Sequence, residues 1–285
     1  MSLQFLQPDT LAEALELLGH APDEAKIIAG GTAVVLMLQH QLIAPEKLIS
    51  LGRVPDLAEI RSVDDGLQIG SLTLLRDVAG SAAIQEGYPA LGSACEVVGN
   101  VRIRNQATLG GNLAEADYAS DPPAILLALD ASVVATSASG SRTIPLADFF
   151  FGFYTTALEP DEIITRVFIP ALPANSRMTY LKYKSRSSED RPCVGVAAVA
   201  GFDGQVCTNL RLAVGAACET PRRLPEVEAL GVNQNLTDDL IAEIAEGYAR
   251  GIDTLDDLRG SAWYRTQMIR VHVRRALREV RDDHR

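Results

Sequence analysis

The spacing of apolar residues over the first fifty positions predicts a small unit of alternating helices and strands. In PDTLAEALELLGH, apolar residues recur at helical spacing. Thr10 and Glu13 form a capping box at the start of this helix, and Gly19 is a typical stop at its end. The following AKIIAGGTAVVLMLQHQL predicts a strand, a Gly-Gly turn and a helix capped by Thr32, and KLISL predicts a further strand.

A second series of elements follows, up to about residue 172. LQIGSLTLLRDV predicts a strand that leads into a helix capped by Thr73, and YPALGSACEVVGN predicts another helix. VRIRNQATLGGNL shows little helical periodicity. Asp121 marks the start of a helix in DPPAILLALDA, with Pro122 as its first helical residue. SVVATSASGSRTIPL predicts a hairpin, and DEIITRVFIP predicts a strand that ends at Pro170.

The last third of the chain has the pattern of an antiparallel sheet followed by helices. RMTYLKYKSR, CVGVAAVAGF and CTNLRLAVGAA predict three strands of a meander, with one turn at Asp203-Gly204. Helices are expected to begin at Thr237 and Ser261. The order of elements predicts an α+β fold with two α/β lobes and then a C-terminal antiparallel sheet with helices. We place the three lobes at residues 1–51, 52–172 and 173–285.

Composition narrows the class of protein. Of the 285 residues, 47% are apolar and 22% are charged, as in ordinary globular proteins. The net charge of −11 argues against a nucleic-acid-binding protein, and the basic RVHVRRALREVR near the C-terminus fits a solvated helix face. No apolar run has the length of a transmembrane segment, and MSLQFLQPDT lacks the features of a signal peptide. We therefore expect a cytoplasmic protein.

The cysteines and histidines do not have the spacing of a metal site. Four cysteines lie far apart in the sequence and include no C-x-x-C pair: Cys95, Cys193, Cys207 and Cys218. The four histidines are scattered as well. We expect free, buried thiols, and neither zinc nor an iron–sulfur cluster in this chain.

The first of two Gly-Gly pairs lies in IIAGGTAV, between a predicted strand and a predicted helix. Glycine allows a close approach of the main chain, and the free amides at a helix N-terminus attract phosphate. Gly30, Gly31 and Thr32 are therefore suited to bind an anion. A tight turn without a ligand explains the same residues equally well, and the pattern is neither G-x-G-x-x-G nor a P-loop.

The second pair, in ATLGGN, offers similar groups. Thr108, Gly110, Gly111 and Asn112 supply a hydroxyl, bare main chain and an amide that suit the other side of a diphosphate. Gly-Gly-Asn is also a common turn, so this interpretation has a structural alternative.

Three charged residues have two interpretations each. Asp121 either caps its helix or accepts hydrogen bonds from sugar-like hydroxyls. Lys182 and Arg186, in LKYKSR, are either solvated strand residues or positive charges directed at a cofactor.

Together, these blocks resemble a known family. Five stretches are similar, in sequence and spacing, to the FAD-binding medium subunits of molybdenum hydroxylases: IIAGGTAVV, RNQATLGGNLAEADYASDPPAILLALDA, SRTIPLADFFFGFYTTALEPDEIITRVFIP, YLKYKSRSSED and GSAWYRTQMIRVHVRRAL. The family includes the flavoproteins of carbon monoxide dehydrogenase, xanthine dehydrogenase and 4-hydroxybenzoyl-CoA reductase. The resemblance covers essentially the whole chain and implies an FAD-binding type-2 domain, similar to that of vanillyl-alcohol oxidase (PCMH type).

The resemblance implies FAD as the cofactor and assigns its contacts. In such proteins FAD lies extended between two α/β lobes, and its pyrophosphate lies between the two glycine-rich segments. Asp121 matches a carboxylate that binds the FAD chain, Ile164 an apolar neighbour and Lys182 a basic neighbour of the cofactor. The implied cofactor-binding residues are Ile27, Ile28, Ala29, Gly30, Gly31, Thr32, Ala33, Val34, Gly99, Thr108, Leu109, Gly110, Gly111, Asn112, Asp121, Ile164 and Lys182.

Two stretches depart from the family pattern. Ala33 stands where the family often has Asp or Ser, so that one polar contact is missing. SSEDRPCVGVAA, after the basic strand, also differs from better-known members, and the family places this region near the isoalloxazine ring.

The resemblance also implies partners. In this family a molybdopterin-binding large subunit oxidises the substrate, and electrons pass singly through a [2Fe–2S] small subunit to the flavin and then to a quinone, oxygen or NAD. The chain is then the middle component of an oxidoreductase, in a dimer of heterotrimers. Two alternatives stay open: a self-sufficient flavin reductase similar to the enolpyruvyl-sugar nucleotide reductase, and a flavin-free interaction protein. No G-x-S-x-G or H-E-x-x-H motif supports a hydrolase.

Overall fold

The computed structural model of the protein describes residues 3–187 and 189–283. Its first sheet is parallel, with the strand order β1-β3-β2. The strands are β1 (Gln4–Leu6), β2 (Ala25–Ile28) and β3 (Lys47–Ser50). Helix α1 (Leu11–Gly19) connects β1 to β2, and helix α2 (Val34–Gln39) connects β2 to β3. The apolar stripe of α1 is buried against Ile49 and Ile163, which explains why its helical spacing is so regular.

The second sheet is antiparallel, with the order β4-β5-β10-β6-β7. Its strands are β4 (Ile60–Val63), β5 (Gly66–Gly70), β6 (Ser132–Ser137), β7 (Gly140–Pro145) and β10 (Ile163–Pro170). Six helices separate β5 from β6: α3 (Leu75–Gly80), α4 (Ala82–Gly87), α5 (Pro89–Glu96), α6 (Val101–Arg104), α7 (Leu109–Glu115) and α8 (Pro122–Ala128). A two-stranded ribbon, β8 (Phe150–Gly152) with β9 (Thr155–Thr156), follows the 3₁₀ turn Leu146–Asp148.

The third sheet is an antiparallel meander in the order β11-β12-β13-β14. Its strands are β11 (Ser176–Tyr183), β12 (Val194–Asp203), β13 (Val206–Gly215) and β14 (Gln234–Asn235). The helices of this part are α9 (Pro225–Glu228), continued by the 3₁₀ turn Ala229–Gly231, α10 (Asp238–Gly251) and α11 (Ala262–Asp282).

Strand β12 is apolar from Val194 to Phe202 because these residues are buried on both faces of the sheet. Val194 and Val196 belong to the core beneath α10 and α11. Ala197 and Val199, which point the other way, belong to the core that contains α5 and α8. The third sheet is therefore packed between its own helices and those of the preceding part of the chain.

Most predicted elements are confirmed. The meander with its turn at Asp203-Gly204, the hairpin of β6 and β7, and the strand that ends at Pro170 all form as expected. Thr237 and Ser261 cap α10 and α11 through their hydroxyls. The α+β fold class is confirmed as well.

Four local predictions were wrong or incomplete. Thr32 does not cap α2, which begins at Val34, because the turn after Gly31 (φ +71°) continues through Ala33. VRIRNQATLGGNL contains two short helices, α6 and α7, whose four and seven residues are too few to show a period.

The two other corrections concern threonine caps. Thr73 does not cap α3, because the amide of Leu75 donates to the carbonyl of Ala107 (2.9 Å) and tertiary contact defines the helix start. At α1, Thr10 accepts from the amide of Glu13 (3.1 Å), but the Glu13 carboxylate accepts from the amide of Asp9 instead of completing the capping box.

Candidate functional site

A cavity of about 620 Å³ lies where the three parts of the chain meet. Its walls come from the segment after β2, from α7 and the loops on either side of it, from the β8–β9 ribbon and the start of β10, and from the end of β11. Cavities of this size hold cofactors and other small molecules. It is larger than a second cavity of about 290 Å³ beside Tyr88 and Met178.

The first glycine pair forms one wall of this cavity at a point where the main chain is crowded. A side-chain carbon on Gly30 would lie 1.8 Å from the carbonyl oxygen of Gln106, so only glycine fits there. Gly31 has φ +71°, a conformation that favours glycine. Among the described residues, no hydrogen-bond acceptor is found for the main-chain amides of residues 30–34. This segment therefore presents a series of unused donors.

The second glycine pair lies directly opposite the first. The amide of Gly110 donates to the carbonyl of Ser71 (2.9 Å), and the hydroxyl of Thr108 accepts from the amide of Gly111 (3.1 Å) and caps α7. A side-chain carbon on Gly111 would come within 3.8 Å of the Ala29 methyl group, which shows how close the two segments are. The two glycine pairs thus share one crevice.

Nearly all predicted site residues line this cavity. They are Ile27, Ala29, Gly30, Gly31, Thr32, Ala33, Val34, Gly99, Thr108, Gly110, Gly111, Asn112, Asp121, Ile164 and Lys182. Ile28 and Leu109 do not line it. Ile28 packs its side chain toward Gly31, and Leu109 is fully buried in the core. Arg186 also lies outside the lining and donates to the carbonyl of Leu258 (2.8 Å).

Asp121 and Lys182 form a buried ion pair in the cavity wall. Lys182 Nζ lies 2.9 Å from Asp121 Oδ2, and the two side chains are only 4% and 3% exposed. Lys182 Nζ also donates to the carbonyl of Val97 (2.8 Å), and the Tyr180 hydroxyl donates to Asp121 Oδ1 (2.7 Å). Asp121 precedes α8 but makes no capping bond, because both of its oxygens are engaged by β11.

Burial and the ion pair act in opposite directions on the Asp121 carboxyl group. Burial raises its pKa above the ordinary value, and the charge of Lys182, with the hydrogen bonds from Lys182 and Tyr180, opposes the rise. The Asp121 carboxylate therefore depends on these two neighbours to stay ionised.

Several lining residues were missed by sequence reasoning. They include Lys26, Ser71, Glu115, Asp117, Tyr154 and Arg191. Ser71 follows β5 directly, just as Ala29 follows β2. A polar residue at the end of a predicted strand was therefore the one feature of the sequence that could have indicated Ser71 as a site residue. Tyr154, with φ +53°, enters the lining through a turn that no periodicity reveals. Arg191, in the stretch that departs from the family pattern, pairs with Asp117 (2.9 Å) in the cavity wall.

The donor groups of the cavity fit an extended dinucleotide. Unused amides next to glycines suit a diphosphate, and a buried carboxylate suits sugar-like hydroxyls. The buried hydroxyl of Ser71 has no partner among the described residues, and apolar side chains such as Ile164 offer a surface for a ring.

Other chemistry is not indicated in the described part of the chain. All four cysteines are free and buried, as predicted, and burial raises the pKa of each thiol. Across residues 3–187 and 189–283 no cluster of metal-ligating side chains occurs. In the same ranges, no helix has both the length and the apolar character that crossing a bilayer requires.

Comparisons with protein families match most of the chain in two parts. Residues 1–172 match the family described as the FAD binding domain in molybdopterin dehydrogenase. Residues 179–280 match the CO dehydrogenase flavoprotein C-terminal domain.

Curated relatives are similar over nearly their full length. The chain is 36% identical over 277 residues to the 6-hydroxypseudooxynicotine dehydrogenase complex subunit alpha of Paenarthrobacter nicotinovorans, which covers 97% of this chain and 93% of that protein. It is 30% identical over 274 residues to the carbon monoxide dehydrogenase medium chain of Hydrogenophaga pseudoflava, with coverage of 96% and 95%.

Solved structures have the same fold. A chain of carbon monoxide dehydrogenase from Hydrogenophaga pseudoflava, in a form lacking the Mo-pyranopterin moiety, superposes with a TM-score of 0.94 at 31% identity, over 98% of this chain and 96% of that one. Quinoline 2-oxidoreductase from Pseudomonas putida 86 gives a TM-score of 0.93 at 28% identity, over 99% and 97%.

Proposed function

Because this chain belongs to the molybdopterin dehydrogenase family, as one of its FAD-binding medium subunits, we propose that it is the electron-transferring middle component of a molybdenum hydroxylase complex. It is an oxidoreductase subunit with FAD as its cofactor. In our proposal a molybdopterin-binding large subunit oxidises the substrate, and a [2Fe–2S] small subunit delivers the electrons. The acceptor is a quinone, oxygen or NAD, and the complex is a dimer of heterotrimers.

We assign the FAD to the cavity between the two glycine pairs. The amides of residues 30–34 are the donors for the diphosphate, because they are unused and carry the partial positive charge that an anion needs. The close approach of Gly30 to the Gln106 carbonyl, and of Gly111 to Ala29, brings the two segments near enough to enclose it. The observation that carries the proposal is this convergence, in one cavity, of two distant segments of the family's FAD binding domain.

The other residues of the cavity orient the cofactor and exclude water. The flavin supplies the chemistry when bound: it accepts electrons one at a time and stores two of them. In our assignment, Asp121 accepts hydrogen bonds from hydroxyls of the FAD chain, and Lys182 keeps that carboxylate ionised and in place. Ile164 and Gly99 provide apolar and close-packed surface.

The experiment that tests this assignment is the FAD content of a glycine variant. Gly30→Asp places a carboxylate among the diphosphate donors and forces it against the Gln106 carbonyl, so we expect the purified protein to lose the flavin absorption bands. The matched control is Gly80→Asp, at an exposed position where a side-chain carbon meets no atom within 4 Å. Retention of a full FAD complement by a folded Gly30→Asp protein would refute the assignment.

The wild-type chain also separates the alternatives. Co-purification with the large and small subunits, and flavin reduction only when they turn over substrate, supports the proposed electron path. Bleaching of the flavin by NADPH in the isolated chain would instead favour a self-sufficient reductase. A folded, colourless protein that does not respond to added FAD would favour an interaction protein.

A further inference from the structure

Tyr180 contacts the Asp121 carboxylate but does not itself line the cavity. Its ring is buried between α5 and the third sheet, and its hydroxyl donates to Asp121 Oδ1 at 2.7 Å. Tyr180 and Lys182 are two positions apart on β11, so their side chains lie on the same face of the strand and reach the same carboxylate. Each oxygen of Asp121 thus receives one donor from β11.

A glycine in the neighbouring strand makes room for this hydroxyl. Gly195 on β12 pairs with Lys182, and a side-chain carbon on Gly195 would lie 2.5 Å from the Tyr180 hydroxyl oxygen. Any other residue at position 195 would push the hydroxyl away from Asp121. Glycine at position 195 therefore leaves the space that the Tyr180 hydroxyl occupies.

We propose that Tyr180 is a positioning residue of the FAD site, whose hydroxyl holds the Asp121 carboxylate ionised and oriented so that its free lone pairs accept from the cofactor. This inference rests on the proposed function, because it assumes that Asp121 binds FAD. A carboxylate has about four lone-pair sites, and Tyr180 and Lys182 occupy two of them, which leaves two for the hydroxyls of the FAD chain.

The groups that face Asp121 support this role. Lys182 and Lys184 favour the ionised carboxylate by their charge, while Cys95 lies beneath it as a neutral, fully buried thiol. Burial raises the pKa of the Tyr180 hydroxyl well above its ordinary value, so Tyr180 stays protonated and acts only as a donor. The hydrogen bond from Tyr180 counteracts the effect of burial on the pKa of Asp121, so its removal raises that pKa further.

The test is the pH dependence of FAD affinity in Tyr180→Phe. FAD binding weakens as the pH falls through the pKa of Asp121, because the protonated acid loses acceptor sites and the ion pair with Lys182. In Tyr180→Phe we expect this loss to begin at higher pH, with FAD bound about tenfold more weakly than by the wild type on the acidic side. Fluorescence titration of the apo-protein with FAD, at a series of pH values, measures both effects.

The control is Tyr88→Phe, which likewise removes a phenolic hydroxyl, but from a different buried tyrosine. Tyr88 donates to the carbonyl of Pro170 (3.0 Å) and lies outside the FAD cavity, so its variant should follow the wild-type pH profile. If Tyr180→Phe fails to fold, Gly195→Ala displaces the hydroxyl while keeping every polar side chain, and the same shift of the profile is expected.

The outcomes separate this inference from the proposed function. A wild-type chain that binds no FAD contradicts the function itself. A Tyr180→Phe protein that binds FAD with an unshifted pH profile overturns the inference alone, even if its affinity is uniformly lower, because a purely structural role would lower affinity at every pH.

Discussion

At the scale of single residues, His272 shows how the burial of one side chain makes this protein sensitive to acid. The imidazole is 5% exposed on α11, lies 5.0 Å from the Tyr183 ring centre and shares a hydrogen bond of 2.9 Å with the Met268 carbonyl. Burial lowers its pKa below the ordinary value, and the Met268 carbonyl opposes this only in part. The folded protein therefore keeps a neutral imidazole where the unfolded chain already takes up a proton.

This arrangement predicts a loss of stability in mild acid. Below about pH 6.5, the ordinary pKa of histidine, the unfolded state binds a proton that the folded state does not. The free energy of unfolding therefore decreases as the pH decreases. We expect His272→Leu to flatten this part of the profile, measured by denaturant unfolding at a series of pH values. His40→Gln, at an exposed histidine, is the control and should retain the wild-type slope. A wild-type slope in His272→Leu would contradict the argument.

Single positions also show what local sequence reveals. The place of Asp121 before Pro122 predicted the start of α8 correctly, but did not predict that its carboxylate would leave the helix amides free. The partners of that carboxylate, Tyr180 and Lys182, lie about sixty residues away on another sheet. Only the family resemblance linked Asp121 with Lys182, and nothing in the sequence linked Tyr180 with either.

At the scale of elements, the long helices and the strands were predictable, and the short pieces around the cavity were not. Helices α10 and α11 have caps, length and an apolar stripe that all agree. Around the cavity, α2 begins only after the turn that follows Gly31, and α3 begins where its contact with Ala107 places it. Thr32 and Thr73 therefore lack the capping role that the local pattern suggests. The ends of short elements are determined by the residues that surround them in the fold, so the local sequence pattern predicted the starts of these helices wrongly.

The cap of α11 provides a test at this scale. The Ser261 hydroxyl accepts from the amide of Tyr264 (3.2 Å), and α11 packs against β11, β12 and α10. We expect Ser261→Ala to lower the free energy of unfolding by about 1 kcal/mol while leaving FAD content unchanged. Ser93→Ala, inside α5, is the control. Its hydroxyl bonds back to the Pro89 carbonyl, and alanine is the better helix former, so it should be neutral or slightly stabilising. Equal losses in both variants would argue against the cap.

At the scale of the whole molecule, the third sheet completes the cavity that we assign to FAD, because Lys182 near the end of β11 forms part of its wall. Its strands β11 to β13 contribute Tyr180, Ala197, Val199 and Ala213 to the same core as the helices α5 and α8. The pattern of predicted elements indicated the order of the three parts, and the resemblance implied that the two glycine pairs share one crevice. The boundary at residue 51 and the individual FAD contacts remain predictions. The contacts of β11 with Asp121 were not predictable from local sequence, because they depend on packing between distant segments.

The ion pair between Asp121 and Lys182 tests whether this connection is structural, functional or both. Lys182→Met leaves a buried carboxylate without its cation, so we expect a loss of about 3–5 kcal/mol in the free energy of unfolding. Adding Asp121→Asn removes the uncompensated charge, and the double variant should recover most of that stability. Denaturant unfolding of the wild type, both single variants and the double variant measures the coupling.

The FAD content of these variants shows whether the ion pair has only a structural role or also binds the cofactor. If Asp121 also binds the cofactor, the double variant regains its stability but not its FAD, because an amide cannot replace the carboxylate as an acceptor for two hydroxyls. Recovery of both stability and FAD would mean that the pair only holds β11 against α8. A Lys182→Met protein as stable as the wild type would mean that the carboxyl group is neutral in the fold. Such a result would also contradict the role assigned to Tyr180, since a neutral acid needs no donor to stay ionised.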